Sequence, residues 1–295
     1  MKKISIIVLF ILLGNLQSAN AVDVLPEPFF KYLGSKYLAN PGVILIDGSN
    51  NEVVYQSGAD KPRTPASVLK VISTSSIALT LDTATVFKTA LYKTEKKGVF
   101  VIWGDNDPWI TSNAKYRDAN KRAYMPTLIK AAFASDKSLK KITLVYKGVN
   151  NSDILYAKRA LKRKASVAYK PISKTVEVES LVTEKISEIS SPPLHKMIRF
   201  ALLYSDNVLS QRLAMVATGR SGYPLTKTGL NQMAKDKLTA IGVDTTGMKL
   251  VDGSGIGGEN RVSAITVSQL LLKLKTEPKL KVIYESLPVS GESGT

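Results

Sequence analysis

Apolar residues recur along this chain with two periods, and the switches between them mark out its elements. Phe29, Phe30, Tyr32, Leu33 and Tyr37 fall at helical spacing and predict a helix over 27–38. Gly42 to Asp47 is a short unbroken apolar run that reads as a buried strand. Gly48 to Asn51 reads as its turn and Glu52 to Gln56 as the return strand. The helix-breaking approach Lys61-Pro62-Arg63-Thr64-Pro65 follows. From Ser67 the positions Val68, Leu69, Val71, Ile72, Ile77, Ala78 and Leu79 predict an apolar helix. Val99 to Trp103 is a further strand, closed by Gly104-Asp105-Asn106-Asp107-Pro108. Met125 to Phe133 is helical and Lys141 to Tyr146 is a strand. Two helices, Leu194 to Leu203 and Asn207 to Ala217, meet at Ser205-Asp206; Leu230 to Ile241 and Val262 to Leu274 complete the pattern. There is no internal repeat and no long low-complexity linker.

The first residues follow a different logic. Lys2 and Lys3 precede the apolar stretch Ile4 to Leu13, and Ala19-Asn20-Ala21 offers a small-residue cleavage site. This is the pattern of a secretory signal over residues 1–21. The stretch is too short for a membrane-spanning helix, and no later segment is long and apolar enough to be one. With no cysteine at the cleavage point there is no lipoprotein anchor. Export to a bacterial periplasm or envelope is expected, and a chain of 295 residues without cysteine suits that compartment. The formal charge of +17 becomes +15 once Lys2 and Lys3 are removed. Such a charge favours anionic surroundings, here cell-wall polymer or lipid head groups rather than nucleic acid. The basic run Lys158-Arg159 and Lys162-Arg163-Lys164 reads as a solvated face.

Composition excludes much chemistry. Without cysteine there is no thiol nucleophile, thiolate metal site or disulfide. His195 is the single histidine and cannot make a zinc site of the HExxH kind; it reads as a half-buried residue after Ser191-Pro192-Pro193. No nucleophile elbow, phosphate loop or dinucleotide fingerprint is found, and no cofactor or metal is expected.

What remains is Ser67-Val68-Leu69-Lys70. A serine three residues ahead of a lysine at a helix start shares its face. A buried lysine can lose its proton near neutrality and serve that serine as base. Ser205-Asp206-Asn207 adds a hydroxyl able to relay the proton and an amide able to hold a substrate carbonyl. Ser138-Leu139-Lys140-Lys141 repeats the first pattern, and Ser18 and Ser49 repeat the second. Ser138 precedes a strand, Ser18 lies in the leader and Ser49 in a hairpin turn. Lys227-Thr228-Gly229 matches the third motif of penicillin-recognising enzymes, but it leads into a helix, 22 positions after Ser205, and reads as a loop.

The mature chain resembles the D-alanyl-D-alanine carboxypeptidase/endopeptidase family, the class C low-molecular-mass penicillin-binding proteins. Five strings carry the likeness in the family's order. They are Pro65 to Lys70; Gly104 to Pro108; Ser205 to Asn207; Val251-Asp252-Gly253-Ser254-Gly255 with Asn260-Arg261-Val262; and Leu287-Pro288-Val289-Ser290-Gly291 with Gly294-Thr295. The resemblance implies Ser67 as acylated nucleophile, Lys70 as its base, Ser205 as proton relay and Asn207 as substrate-amide anchor. It implies an oxyanion hole from the nucleophile's own N–H and one beside Lys-Thr-Gly.

It also implies an α/β fold: a transpeptidase-like sandwich of the penicillin-binding-protein and β-lactamase kind, antiparallel sheet with helices, carrying a small insertion. The expected division is residues 22–110 with 185–295 for the discontinuous transpeptidase-like domain, and 111–184 for the insert. In relatives the Lys-Thr-Gly strand lies just beyond Thr295, so the sequence reads as ending before it. The expected substrate is a peptidoglycan stem peptide, with β-lactams as inhibitors. A β-lactamase is disfavoured because no Glu-x-x-Leu-Asn follows the second motif. The remaining rival is a non-catalytic envelope protein of the same fold that binds anionic wall polymer.

Overall fold

Proline at position 26 and an acidic first turn start α1 (Glu27–Leu33). Phe29, Phe30 and Tyr55 meet edge to face, with ring centroids 5.3, 5.5 and 5.7 Å apart. The computed structural model describes residues 25–161 and 166–294. The leader reading for residues 1–21, Lys162-Arg163-Lys164 and Thr295 lie outside them. α1 stops at Gly34, short of the expected Leu38. Strands β1 (Val43–Ile46) and β2 (Val53–Ser57) form the expected antiparallel hairpin. In its turn Asp47 accepts the Ser49 N–H at 2.8 Å and its hydroxyl at 2.6 Å.

A 3₁₀ turn, Ala66–Val68, then leads into α2 (Leu69–Thr80). This helix is buried on nearly every side: Leu69, Lys70, Ile72 to Ala78. Three of its buried hydroxyls find carbonyls, while Ser75 Oγ has no partner among the described residues. Thr74 donates to Lys70 O at 2.5 Å, Ser76 to Ile72 O at 3.0 Å and Ser73 to Gly253 O at 2.7 Å. α2 packs against α6 (Leu194–Leu203), α7 (Asn207–Arg220) and α8 (Lys227–Thr239). α9 (Ala264–Thr276) starts two residues later than periodicity indicates. Val262 is taken up by an antiparallel bridge to Arg63, and Ser263 caps the helix. α8 starts earlier than Leu230, since Thr226 caps it through the Gly229 N–H.

The second body is a five-stranded sheet in the order β6-β5-β4-β3-β7. Its strands are β3 (Lys88–Lys93), β4 (Val99–Gly104), β5 (Lys141–Lys147), β6 (Ser166–Pro171) and β7 (Lys185–Ser190). β3 is antiparallel to β4 and β7, whereas β4, β5 and β6 run parallel. The crossovers that parallel pairing requires carry α3 (Ala114–Asn120), α4 (Met125–Ala134) and α5 (Asn151–Ala160). The expected insert, 111–184, contains β5 and β6 and leaves β3, β4 and β7 outside it, and the parallel β4–β5 pairing joins the two parts in one sheet.

One apolar core runs from α2 and its neighbours into the sheet through Phe87, Leu91, Ile102 and Leu144. In β7, Ile186 and Ile189 are three apart, an odd spacing that would send them to opposite faces. A register shift between Leu91 and Tyr92 of β3 inserts one residue in β7, and both isoleucines pack on the core.

Candidate active site

Two short backbone contacts build the approach to Ser67. Arg63 and Val262 exchange N–H···O bonds of 2.9 Å each, and Arg261 donates to the Thr64 hydroxyl at 3.0 Å. The chain then turns through Ala66, at φ +46°, before Ser67. The loop Val251–Gly255 passes directly beneath. A Cβ on Gly255, at φ +89°, would lie 1.8 Å from Ala66 O, so only glycine fits. The serine is left exposed at the N-terminal end of α2, while Lys70 one turn on is 2% exposed.

The Lys70 amine has three neighbours. It lies 3.1 Å from Ser67 Oγ, 2.6 Å from Asn207 Oδ1 and 2.7 Å from Ser254 O. The last two are carbonyl oxygens and can only accept. A neutral amine satisfies both with its two hydrogens and turns its lone pair to the Ser67 hydroxyl. Burial pushes the Lys70 pKa below the ordinary lysine value; the carboxylates of Asp252 and Asp206 offset part of that shift.

Ser205 reaches the same point from the other side. It sits between α6 and α7 at φ +50°, a left-handed conformation that is strained for serine, and its Oγ donates to Ser67 Oγ at 2.9 Å. Asp206 caps α7, accepting the Leu209 N–H at 2.9 Å, which fixes Asn207 at the first helical position facing Lys70. The structure thus brings Ser67, Lys70, Ser205 and Asn207 into one hydrogen-bonded cluster.

Sequence reasoning passed over the floor of this site. Asp252 accepts from Ser254 N and Oγ, Gly255 N and Gly257 N, each at 2.7 Å, and from Asn260 Nδ2 at 2.8 Å. Burial alone would raise its pKa. The bonds from Ser254, Asn260 and Gly257 outweigh burial and hold the carboxylate well below its usual range. That saturated loop aims Ser254 O at Lys70 and Gly253 O at Ser73. The string Val251 to Gly255 was the available signal.

The decoys fall elsewhere. Ser138 bonds Asp136 at 2.6 Å ahead of β5. Lys227 and Thr228 stand exposed in the first turn of α8. His195 is half-buried, with Nδ1 3.2 Å from Thr83 O. Among the described residues no cluster of His, Asp and Glu is arranged to hold a metal ion.

The sequence profile of the D-Ala-D-Ala carboxypeptidase 3 (S13) family matches residues 149–295. Over that stretch the chain is similar to D-Ala-D-Ala carboxypeptidases. Carboxypeptidase DacB of Mycolicibacterium smegmatis is 27% identical over 308 residues, covering 88% of this chain and 67% of that protein. A carboxypeptidase of Mycobacterium tuberculosis is 22% identical, covering 85% of this chain and 64% of its own length. The chain therefore spans about two thirds of the length of these curated relatives. Penicillin-binding protein 4 of Haemophilus influenzae, solved with a β-lactam, superposes with a TM-score of 0.68 at 18% identity, covering 94% of this chain and 82% of that one. A peptidoglycan endopeptidase of Bdellovibrio bacteriovorus gives 0.52 at 16% identity, covering 85% and 73%. These likenesses show the fold: α/β, with helices flanking a sheet, as the family resemblance implies.

Proposed function

We propose that this chain is a serine D-Ala-D-Ala peptidase of the bacterial envelope, acting on peptidoglycan stem peptides through an acyl-enzyme on Ser67. The observation that carries this reading is the position of the Lys70 amine, buried and shared among Ser67 Oγ, Asn207 Oδ1 and Ser254 O. Neutral Lys70 takes the Ser67 proton as Oγ bonds to the carbonyl carbon between the two D-alanines. The carbonyl oxygen becomes an oxyanion. As it collapses, the C–N bond breaks and the leaving amine takes its proton through Ser205. Water, deprotonated by the same lysine, then cleaves the ester, releasing the shortened stem and returning Ser67 to its hydroxyl form. β-Lactams enter by the same attack, and their ring-opened acyl group stays on Ser67.

Incubation of the full chain with a fluorescent penicillin, followed by peptide mapping, tests the assignment. Label on the Ser67 peptide, lost in Ser67→Ala, is the expected outcome. Label on Ser138, or undiminished label in Ser67→Ala, rules the assignment out. A chain that binds wall polymer through its basic surface but takes no label would instead be a non-catalytic protein of the same fold.

A further inference from the structure

The catalytic turn is held from a segment far from it in sequence. Arg122 follows α3 in the segment between β4 and β5, and its side chain is only 6% exposed. Its guanidinium lies 4.5 Å from the centroid of the Trp109 ring and 5.4 Å from that of Phe200, rings that themselves pack edge to face at 5.1 Å and 90°. From this slot it donates to Asp206 Oδ2 at 2.5 Å. The slot is firmly built. Thr111 N donates to Ala123 O at 2.8 Å, Met125 N to Thr111 O at 2.9 Å, and Trp109 Nε1 to Lys121 O at 3.4 Å.

We propose that Arg122 is a positioning residue for proton transfer: it holds the Ser205-Asp206-Asn207 turn through Asp206 and neutralises that carboxylate beside Lys70. The inference rests on the acyl-enzyme reading and adds to it a residue that touches neither Ser67 nor substrate. Two independent features support it. Ser205 keeps a strained left-handed backbone, which persists only where neighbours over-determine it. Asp206, the next residue, is gripped at both oxygens, Oδ1 by the Leu209 N–H and Oδ2 by Arg122. Phe200 stacks on Tyr204 at 4.6 Å, so the arginine slot and the residue before Ser205 share one ring.

The electrostatic part follows from charge. The charged groups acting on the Lys70 amine are Asp252, on the loop beneath it, and Asp206, and both favour its ammonium form. Arg122 cancels one of them. Without Arg122, an unpaired Asp206 would hold Lys70 protonated to higher pH.

The test is the acylation rate constant of the full chain with a fluorescent penicillin across pH, for wild type, Arg122→Gln, Arg122→Lys, Asp206→Asn and the Arg122→Gln/Asp206→Asn pair. Asp206→Asn keeps the cap oxygen, so its fold is retained if Arg122→Gln proves unstable. Rate constants are read from the time course, because misfolding lowers the labelled fraction but leaves the rate of the folded fraction unchanged. Arg122→Gln should lose ~10- to 100-fold, the scale of displacing a positioned group. Its acid limb should also move up by about one pH unit, with Arg122→Lys recovering part of both effects. Asp206→Asn should move the limb down, and the double variant should return it toward wild type. Wild-type rates and limbs in both Arg122→Gln and Asp206→Asn overturn the proposal, as do equal limb positions in all four variants. If wild type itself takes no label on Ser67, the acyl-enzyme reading has failed instead.

Discussion

Lys70 and Ser67 are one helical turn apart, 3.1 Å between Nζ and Oγ, yet the lysine is 2% exposed and the serine faces solvent. Burial of the one makes a base, and exposure of the other makes a nucleophile that substrate can reach. The pair therefore divides along the protein surface, and its chemistry depends on that division.

Lys70→Arg keeps the charge but cannot give it up, since a guanidinium does not deprotonate. Acylation by a fluorescent penicillin should fall by at least ~100-fold, the low end for removing a general base. A near-normal rate would assign the base to another group.

The pH dependence has a definite sign. Lys70 titrates below its ordinary value of 10.5 because it is buried, and only its neutral form accepts the serine proton. The acylation rate of the wild type should rise with pH through a single limb lying below 10.5 and fall as acid protonates the amine. A rate that is flat across that range would mean that Lys70 keeps one protonation state throughout.

Asp107 supplies a stability prediction. It is 1% exposed, and burial, with a smaller contribution from Asp153, pushes its pKa up to about 7 from 3.8. The folded protein therefore holds a proton there that the unfolded chain releases. Stability from this group is present below pH 3.8 and is lost as pH rises through about 7. Asp107→Asn keeps the oxygen that accepts the Trp109 N–H at 2.8 Å. Its stability relative to wild type should grow by ~3 kcal/mol between pH 4 and pH 7. Urea unfolding at several pH values checks this; a constant difference would place the titration elsewhere.

Gly255→Ala puts a methyl group on Ala66 O and a side chain at φ +89°. It should cost at least ~2 kcal/mol and slow acylation, because the displaced carbonyl belongs to the residue before Ser67. Gly258→Ala, three residues on, meets nothing within 4 Å and should change stability by less than ~0.5 kcal/mol. Thermal melts of the two variants give the comparison.

Lys227→Ala tests the remaining Lys-Thr-Gly string. Lys227 stands exposed on the first turn of α8. The acylation rate should match wild type within about two-fold, as for a surface substitution away from the site. A large loss would bring that lysine into the chemistry.

The sequence made legible the elements whose apolar pattern is strong: the hairpin, α2, β4, β5, α4, α6 and α7, and with them the four residues of the cluster. β3, β6, β7, α3 and α5 were not legible. β3 carries only Ala90 and Leu91 between polar ends, and its strand character comes from pairing on both sides. β7 presents Ile186 and Ile189 at helical spacing, which only the register shift against β3 reconciles with a sheet. α5 buries Asp153, Ile154 and Ala157 among polar residues, too thin a stripe for periodicity to mark. In the site, Asp252 was within a quoted string, but its five hydrogen bonds depend on loop geometry. Arg122 lies 84 residues from Asp206, and no local pattern joins them.

The burial of α2 also has a dynamic consequence. A helix enclosed by α6, α7 and α8, with Thr74 and Ser76 bonded to carbonyls one turn back, should open as a unit. Its amides from Ile72 to Ala78 can exchange with solvent only when the whole unit unfolds, whereas the turn at Ala66–Val68 lies at the surface and is free to breathe. The base Lys70 is thus seated on the slow-opening helix, whereas the nucleophile Ser67 rides on the mobile turn that leads into it.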